Sequence, residues 1–436
     1  MSDSFRMDDV VCIDHWLTVP LDYAQPNGPQ IRIYGRELVL RLQANIPQLP
    51  WALFLQGGPG FESPRPMGRA GWLTPILIGH RLFLLDQRGT GRSSALSTKQ
   101  IAAIGTPQQQ AEQLRHYRQD NIVRDAEAFR KHLTKEKPWL VIGQSFGGFC
   151  AATYLSHAPE GIAAVILTGA LPPVGWQIDD VYRVTYRLAE RASLHLYERI
   201  PALQIQFTRL AELLSRQPAK LPNGGILTVR GLQSLGLQLY RAQGAYTLAY
   251  LLERAFPNGS DQAPVCTDAF LSAVTPLLAT FASNPFFLLL HEAIYADGAG
   301  QATNWSAQRI RKEFPQFDQF DGTTLLLTAE HMYPWMADEF PGSAQLAEVA
   351  EILAKKSDWE PLYDASRLQA NTIPIAAVVY YDDLCCGFDY SIDFANRLGG
   401  IKRWITSEFA HDGIHTDGEH IMWRLLGMLE GDIPSL

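Results

Sequence analysis

The sequence has no surplus of positive charge: 37 Lys and Arg face 45 Asp and Glu, a net charge of −8 over 436 residues. Nucleic-acid binding needs clustered Lys and Arg to neutralise phosphates, so this balance argues against it, and equally against attachment to anionic lipid. No run of about 18 uncharged apolar residues occurs, which excludes a transmembrane helix. The first residues, Met1-Ser2-Asp3-Ser4-Phe5-Arg6, carry no apolar core of a secretory signal. Cysteine is scarce. Cys12, Cys150, Cys266, Cys385 and Cys386 are scattered and odd in number, and the last two could pair only as a strained vicinal disulfide. Reduced thiols in a cytoplasmic protein are the expectation. Metal-ligand spacings such as H-E-x-x-H or paired C-x-x-C are missing, as are phosphate-loop patterns, repeats and low-complexity tracts, so no metal and no cofactor is expected.

What is present is a globular composition. At 47 % apolar the chain is too hydrophobic to be disordered, and its length suits one large α/β domain carrying an insertion. Ile31–Leu40, Trp51–Leu55 and Arg81–Leu85 read as strands, and Trp139–Ile142 and Ala163–Leu167 as short buried ones. Gln108–Leu133 has apolar residues at helical spacing. After Pro172-Pro173 helical periodicity dominates, as in Val181–Ala192, Ala202–Leu214 and Ala245–Ala255, with Thr323–Leu327 as the main strand candidate. The β character returns at Ile375–Tyr380 and Lys402–Thr406, and Gly418–Leu429 closes the chain as a helix. These alternations predict an α/β fold: a mostly parallel central sheet with helices on both faces, formed by residues 1–172 and 366–436. Residues 173–365 form a mainly helical cap.

The strongest chemical signal is Gly143-Gln144-Ser145-Phe146-Gly147, between a buried strand and a plausible helix. G-x-S-x-G in that context predicts a sharp turn that lifts the Ser145 hydroxyl off the sheet. The Phe146 N–H, at a helix start, then suits a developing oxyanion. Gln56-Gly57-Gly58-Pro59-Gly60 ends an earlier strand, and its Gly57–Gly58 backbone could give the second donor, with Gly58 favoured. A serine nucleophile needs a base and an orienting acid, in the chain order Ser, Asp or Glu, His. Asp382 and Asp383 follow the strand Ile375–Tyr380, and Asp383 is favoured because it lies farther into the loop, though spacing does not settle the choice. His411 follows the next strand. His415 and His420 lie in the final loop and helix and read as surface or capping residues. Asp86-Gln87-Arg88-Gly89-Thr90-Gly91 reads as a turn bracing the site, with Asp86 and Arg88 as an ion pair.

Together these segments resemble the proline iminopeptidases, serine peptidases of the α/β-hydrolase fold, and in particular their longer members. The likeness rests on Gly57-Gly58-Pro59-Gly60, Asp86-Gln87-Arg88-Gly89-Thr90-Gly91, Gly143-Gln144-Ser145-Phe146-Gly147-Gly148, Tyr380-Tyr381-Asp382-Asp383 and His411-Asp412-Gly413. It implies Ser145 as nucleophile, Asp383 as orienting acid, His411 as base, and release of an N-terminal residue, preferably proline. Gln56 stands where many members have His, and Cys385-Cys386 falls where members vary. An aminopeptidase must also hold a cationic N-terminus, and the resemblance offers Glu292 and Glu330, each in an apolar and aromatic stretch where a charge needs a partner. Phe146, Tyr295, Tyr333 and Trp335 could wall a pyrrolidine ring. The expected partner is a peptide with a free N-terminus; the sequence does not give the oligomeric state. An esterase or amidase on the same scaffold would share the triad without needing the glutamates, and a non-catalytic homologue would use the pocket as a receptor.

Overall fold

The computed structural model describes residues 4–259, 262–318, 320 and 322–433. Its main sheet has nine strands among the described residues. In chain order they are β1 (Ser4–Met7), β2 (Val10–Pro20), β3 (Gln30–Leu40), β4 (Trp51–Leu55), β5 (Arg81–Asp86), β6 (Trp139–Gln144) and β7 (Ile162–Thr168), then, after a small hairpin of β8 (Ala219–Lys220) and β9 (Ile226–Leu227), β10 (Ile375–Tyr380) and β11 (Ile401–Thr406). The spatial order is β1-β2-β3-β5-β4-β6-β7-β10-β11. The first three strands join antiparallel, and every pairing from β5 to β11 is parallel. This is the α/β-hydrolase fold.

The strand residues alternate between two cores, as a period of two requires. Leu53, Phe83, Val141, Val165 and Ala377 face one layer, with Phe129, Phe149, Tyr154 and Phe394 from the helices Gln119–Thr134, Phe146–His157 and Phe388–Arg397. Ala52, Leu82, Ile142, Ile166 and Val378 face the other, against Trp72, Leu77, Met422 and Leu425 from the helices at Leu73–Gly79 and Gly418–Glu430 and the residue before the first. With both faces covered, the central strands are buried along their whole length and read as continuous apolar runs.

Between β7 and β10 the chain is mainly helical, beginning with Ile178–Arg199 and Pro201–Arg216, and packs an apolar core that also takes in Ile101, Leu114, Tyr117 and Tyr390. No helix among the described residues is long and apolar enough to cross a membrane. The five cysteines are unpaired.

Three sequence expectations change. Thr323–Leu327 is buried in part but is not a strand. Side chains satisfy its backbone instead: Ser193 Oγ accepts from the Leu327 N–H at 2.9 Å, Gln233 Nε2 donates to the Leu326 carbonyl at 3.1 Å, and Tyr197 donates to the Leu325 carbonyl. The stretch 108–133 is not one helix but Pro107–Leu114, a 3₁₀ turn Arg115–Tyr117 and Gln119–Thr134, because Arg118 is extended. Its buried guanidinium binds the carbonyls of Ala293, Ala296 and Glu360. Asp86 and Arg88 do not pair with each other. Asp86 receives Arg65 (2.9 Å) and the N–H groups of Ser63 and Arg92. A turn at Gln87–Thr90 sends Arg88 to Asp125 on the helix Gln119–Thr134, which it grips through two hydrogen bonds of 2.8 and 2.7 Å.

Candidate active site

β6 ends at Gln144 and the helix Phe146–His157 begins one residue later, which forces Ser145 between them to φ 53°, ψ −127°. A non-glycine residue with positive φ is strained and persists only where its surroundings hold it. The glycines flanking the serine make the turn possible. A Cβ on Gly143 would stand 2.7 Å from the Gly147 carbonyl oxygen, and one on Gly147 only 1.9 Å from the Leu55 carbonyl oxygen at the end of β4. The helix thus starts against the sheet rim. Phe146 belongs to the first helical turn, whose N–H groups have no acceptor within the helix.

The turn after β4 lies against the same serine. A Cβ on Gly57 would meet Gln144 Oε1 at 2.5 Å and Ser145 Cβ at 2.9 Å, and Gly58 has φ 133°. Gln87 anchors this turn, its Nε2 donating to the Gln56 carbonyl at 2.9 Å. Backbone N–H groups of Gly58 and Phe146 therefore belong to two segments that flank Ser145.

β10 and β11 are parallel neighbours, with Tyr380 opposite Thr406, so the loops that leave them emerge side by side. Asp383 and His411 sit in those loops, and Asp383 Oδ2 lies 2.8 Å from His411 Nδ1. Asp383 Oδ1 accepts the N–H groups of Cys385 (2.8 Å) and Cys386 (2.9 Å). Both oxygens are thereby fixed. Asp382 points elsewhere, to Arg191 at 2.7 Å. His411 is 5 % exposed. Burial alone would lower its pKa, but the Asp383 charge and hydrogen bond, helped by Glu330 and Asp412, raise it above the ordinary value. The serine joins this pair through β7: the Ser145 N–H donates to the Thr168 carbonyl at 3.2 Å, and a Cβ on the next residue, Gly169, would stand 3.1 Å from Asp383 Oδ2.

Two buried glutamates come from the helical segment, and their surroundings differ. Glu292 accepts from the backbone N–H groups of Ser306 (3.0 Å) and Ala307 (2.9 Å), one on each oxygen, at the start of the short helix Ser306–Arg311. Glu330 lies deep in the molecule yet keeps some accessible surface. It interacts with the charges of His411 and Asp383 and hydrogen-bonds the Cys385 thiol. Burial pushes both carboxyls up to about 7.

The aromatic residues also separate. Phe146 is buried against Phe149, which meets Tyr295 edge-on at 5.9 Å. Tyr295 is within reach of the charge of Glu330. Tyr333 and Trp335 stack on each other at 5.2 Å inside the helical segment. Tyr333 hydrogen-bonds Tyr186 at 2.7 Å, and the Arg230 guanidinium covers Trp335. Their polar and ring partners are thus residues of that segment, not Ser145, Asp383 or His411.

Sequence reasoning missed two neighbours of the pair. Tyr240 places its ring 6.1 Å from that of His411. Cys385 joins Asp383 to Glu330, its N–H bonding the first and its thiol the second. The position of Cys385, two residues after the acid, was the available signal; Tyr240 gave none. Donor atoms of Asp383, Cys385 and His411 lie within 4.8 Å of one another. Burial and the neighbouring Glu330 charge push the Cys385 thiol well up, so it is protonated, and the Asp383 oxygens are already occupied. That chemistry fits a hydrogen-bonded cluster rather than a metal centre.

Residues 50–194 match the alpha/beta hydrolase fold family. The chain is 43 % identical over 424 residues to a proline iminopeptidase of Aeromonas sobria, covering 97 % of this chain and 97 % of that protein. It is 31 % identical to the proline iminopeptidase aneH of Aspergillus aculeatus, over 95 % of this chain and 93 % of that one. Among solved structures, a proline iminopeptidase of Mycobacterium smegmatis aligns with 13 % identity and a TM-score of 0.43, covering 96 % of this chain and 98 % of its own. On the identity and coverage of the first two relatives, the chain belongs to the proline iminopeptidase family of α/β-hydrolases.

Proposed function

We propose that the protein is a serine aminopeptidase that releases an N-terminal residue, preferably proline, from peptides through an acyl-enzyme. The observation that carries this reading is the site of Glu330: a buried carboxyl beside the Asp383–His411 pair, where a hydrolase for neutral esters would have no use for one. A substrate ammonium placed there and the Glu330 carboxylate each favour the charged form of the other.

Ser145 is the nucleophile. His411 Nε2 takes its proton as the hydroxyl adds to the carbonyl of the first residue, while Asp383 accepts from Nδ1–H, fixes the tautomer and stabilises the imidazolium. The N–H groups of Phe146 and Gly58 receive the oxyanion. His411 then protonates the leaving amine, and water repeats the sequence on the acyl-enzyme. Of the two expected glutamates, Glu330 is assigned to the amine, since the Glu292 oxygens already hold two backbone N–H groups. Tyr295 and Phe149 supply apolar wall, and Tyr333 and Trp335 support it from within the cap. Residues 173–365 act as that cap and 1–172 with 366–436 as the catalytic domain. The partner is a peptide with a free N-terminus, not nucleic acid or a membrane, and the free cysteines support a cytoplasmic location.

The test is active-site labelling. A fluorophosphonate should modify the wild type at Ser145, and Ser145→Ala should lose both labelling and turnover with an unchanged melting temperature. Turnover retained by Ser145→Ala overturns the assignment.

A further inference from the structure

The turn Gln56–Gly60 is held at both ends by side-chain amides. At its start the Gln87 amide donates to the Gln56 carbonyl at 2.9 Å. At its end the Asn284 amide, from the cap, donates to the Pro59 carbonyl at 3.2 Å. Both side chains are buried. Between the two fastened carbonyls the chain carries only two N–H groups, those of Gly57 and Gly58, because Pro59 has none. These are the candidate oxyanion donors from this side of Ser145.

Asn284 occupies the N-cap position of the short helix Pro285–Leu289, where an asparagine oxygen ordinarily accepts a helix N–H. It makes no such bond. Its Oδ1 is buried without a hydrogen-bond partner, and Nδ2 is the atom in use. The side chain is thus committed to the turn rather than to its own helix. The helix adds packing. A Cβ on Gly60 would stand 2.6 Å from Phe286 Cβ, and one on Gly89 2.6 Å from Phe286 Cζ, while the Phe286 ring stacks on Tyr117 at 5.2 Å. Phe287 meets Phe61 edge-on at 5.5 Å, and Phe61 Cδ2 lies 2.9 Å from where a Gly58 Cβ would be. Gly60 and Gly89, one from each glycine-rich turn of the sequence, thereby admit one cap helix to both turns.

We propose that Asn284 is a positioning residue of the reaction: through the Pro59 carbonyl it fixes the turn whose N–H groups receive the oxyanion. The cap then completes the oxyanion hole as well as holding Glu330. The inference rests on the Ser145 acyl-enzyme reading and deepens it. The two cap residues do separable things. Glu330 acts on the substrate amine, which is charged before and during the reaction. Asn284 acts only where the oxyanion forms, and an interaction made only in the transition state is lost from kcat and not from KM.

The test measures hydrolysis of a proline arylamide, with its amine free or acetylated, by the wild type, Asn284→Ala and Asn284→Leu, the last keeping the side-chain volume. Removing an oxyanion donor outright costs about 10²–10³-fold in kcat, so loosening the turn should cost about tenfold to a hundredfold in both variants. KM and the preference for the free amine should stay within about twofold of wild type. Fluorophosphonate labelling of Ser145 should slow in step with kcat, since the phosphoryl oxygen takes the place of the oxyanion. A kcat within about twofold of wild type overturns the inference. So does a fall in kcat matched by a higher KM and a lost amine preference, the mark of a cap that has merely come away. A wild type that neither takes the label nor cleaves the arylamide overturns the serine reading itself, and the Asn284 assignment with it.

Discussion

The Cys385 thiol is hydrogen-bonded to the Glu330 carboxylate, while the N–H of the same cysteine holds Asp383 at 2.8 Å. One residue thus couples the carboxylate bonded to His411 to the acid proposed to hold the substrate amine. The thiol bond opposes part of the upward push that burial exerts on Glu330. Cys385→Ala should therefore raise the Glu330 pKa further and shift the acid limb of kcat/KM to higher pH. Losing one such bond costs about 0.5–1.5 kcal/mol, or a two- to tenfold higher KM at pH 6. Cys385→Ser, which keeps a donor, should recover most of it. A pH profile indifferent to both changes would break the proposed link.

Buried Glu292 predicts how stability varies with pH. Its carboxyl is pushed up to about 7 in the folded protein from 4.5, so the folded state binds its proton more tightly than the unfolded one. That contribution is fully present below about pH 4.5 and is lost as pH rises through about 7, on the order of 3 kcal/mol in total. The melting temperature should fall between pH 5 and pH 8, and Glu292→Gln should flatten the slope. A slope unchanged by the substitution contradicts the burial argument.

The Arg88–Asp125 pair predicts a structural weak point away from the chemistry. Both side chains are essentially sealed from solvent, and Tyr23 also donates to Asp125 at 2.9 Å. Asp125→Ala leaves a buried guanidinium without its counter-ion and should cost about 3–5 kcal/mol in denaturant unfolding. An apolar replacement of both partners should recover much of that loss. A loss under about 1 kcal/mol for the single change would show that water reaches Arg88.

How much was legible depended on whether the information was local. The Ser145 turn was, because two backbone contacts demand glycine at fixed offsets from the serine. The meeting of Asp383 and His411 was, because the parallel neighbours β10 and β11 send their loops to one edge. β2 went unseen although its burial alternates, since Asp14 and His15 interrupt its apolar pattern. Their partners come from β3 and beyond: Tyr34 and Arg36 for Asp14, Glu37 for His15. The same limit explains the glutamates. Glu292 and Glu330 sit in similar sequence surroundings, and only the course of the chain at 303–307 shows that the first has backbone partners on both oxygens. Thr323–Leu327 carried a strand's composition but met side-chain partners in place of a neighbouring strand.

The central claim is that a free, charged N-terminus is recognised beside the Asp383–His411 pair. The most direct measurement is the rate of cleavage of a proline arylamide against its N-acetyl form by the wild type. Blocking the amine removes the cation and leaves Glu330 with the Cys385 thiol but no counter-charge, so the acetylated compound should be cleaved at least about a hundredfold more slowly. Comparable rates for the two compounds would contradict the account and point to a general amidase.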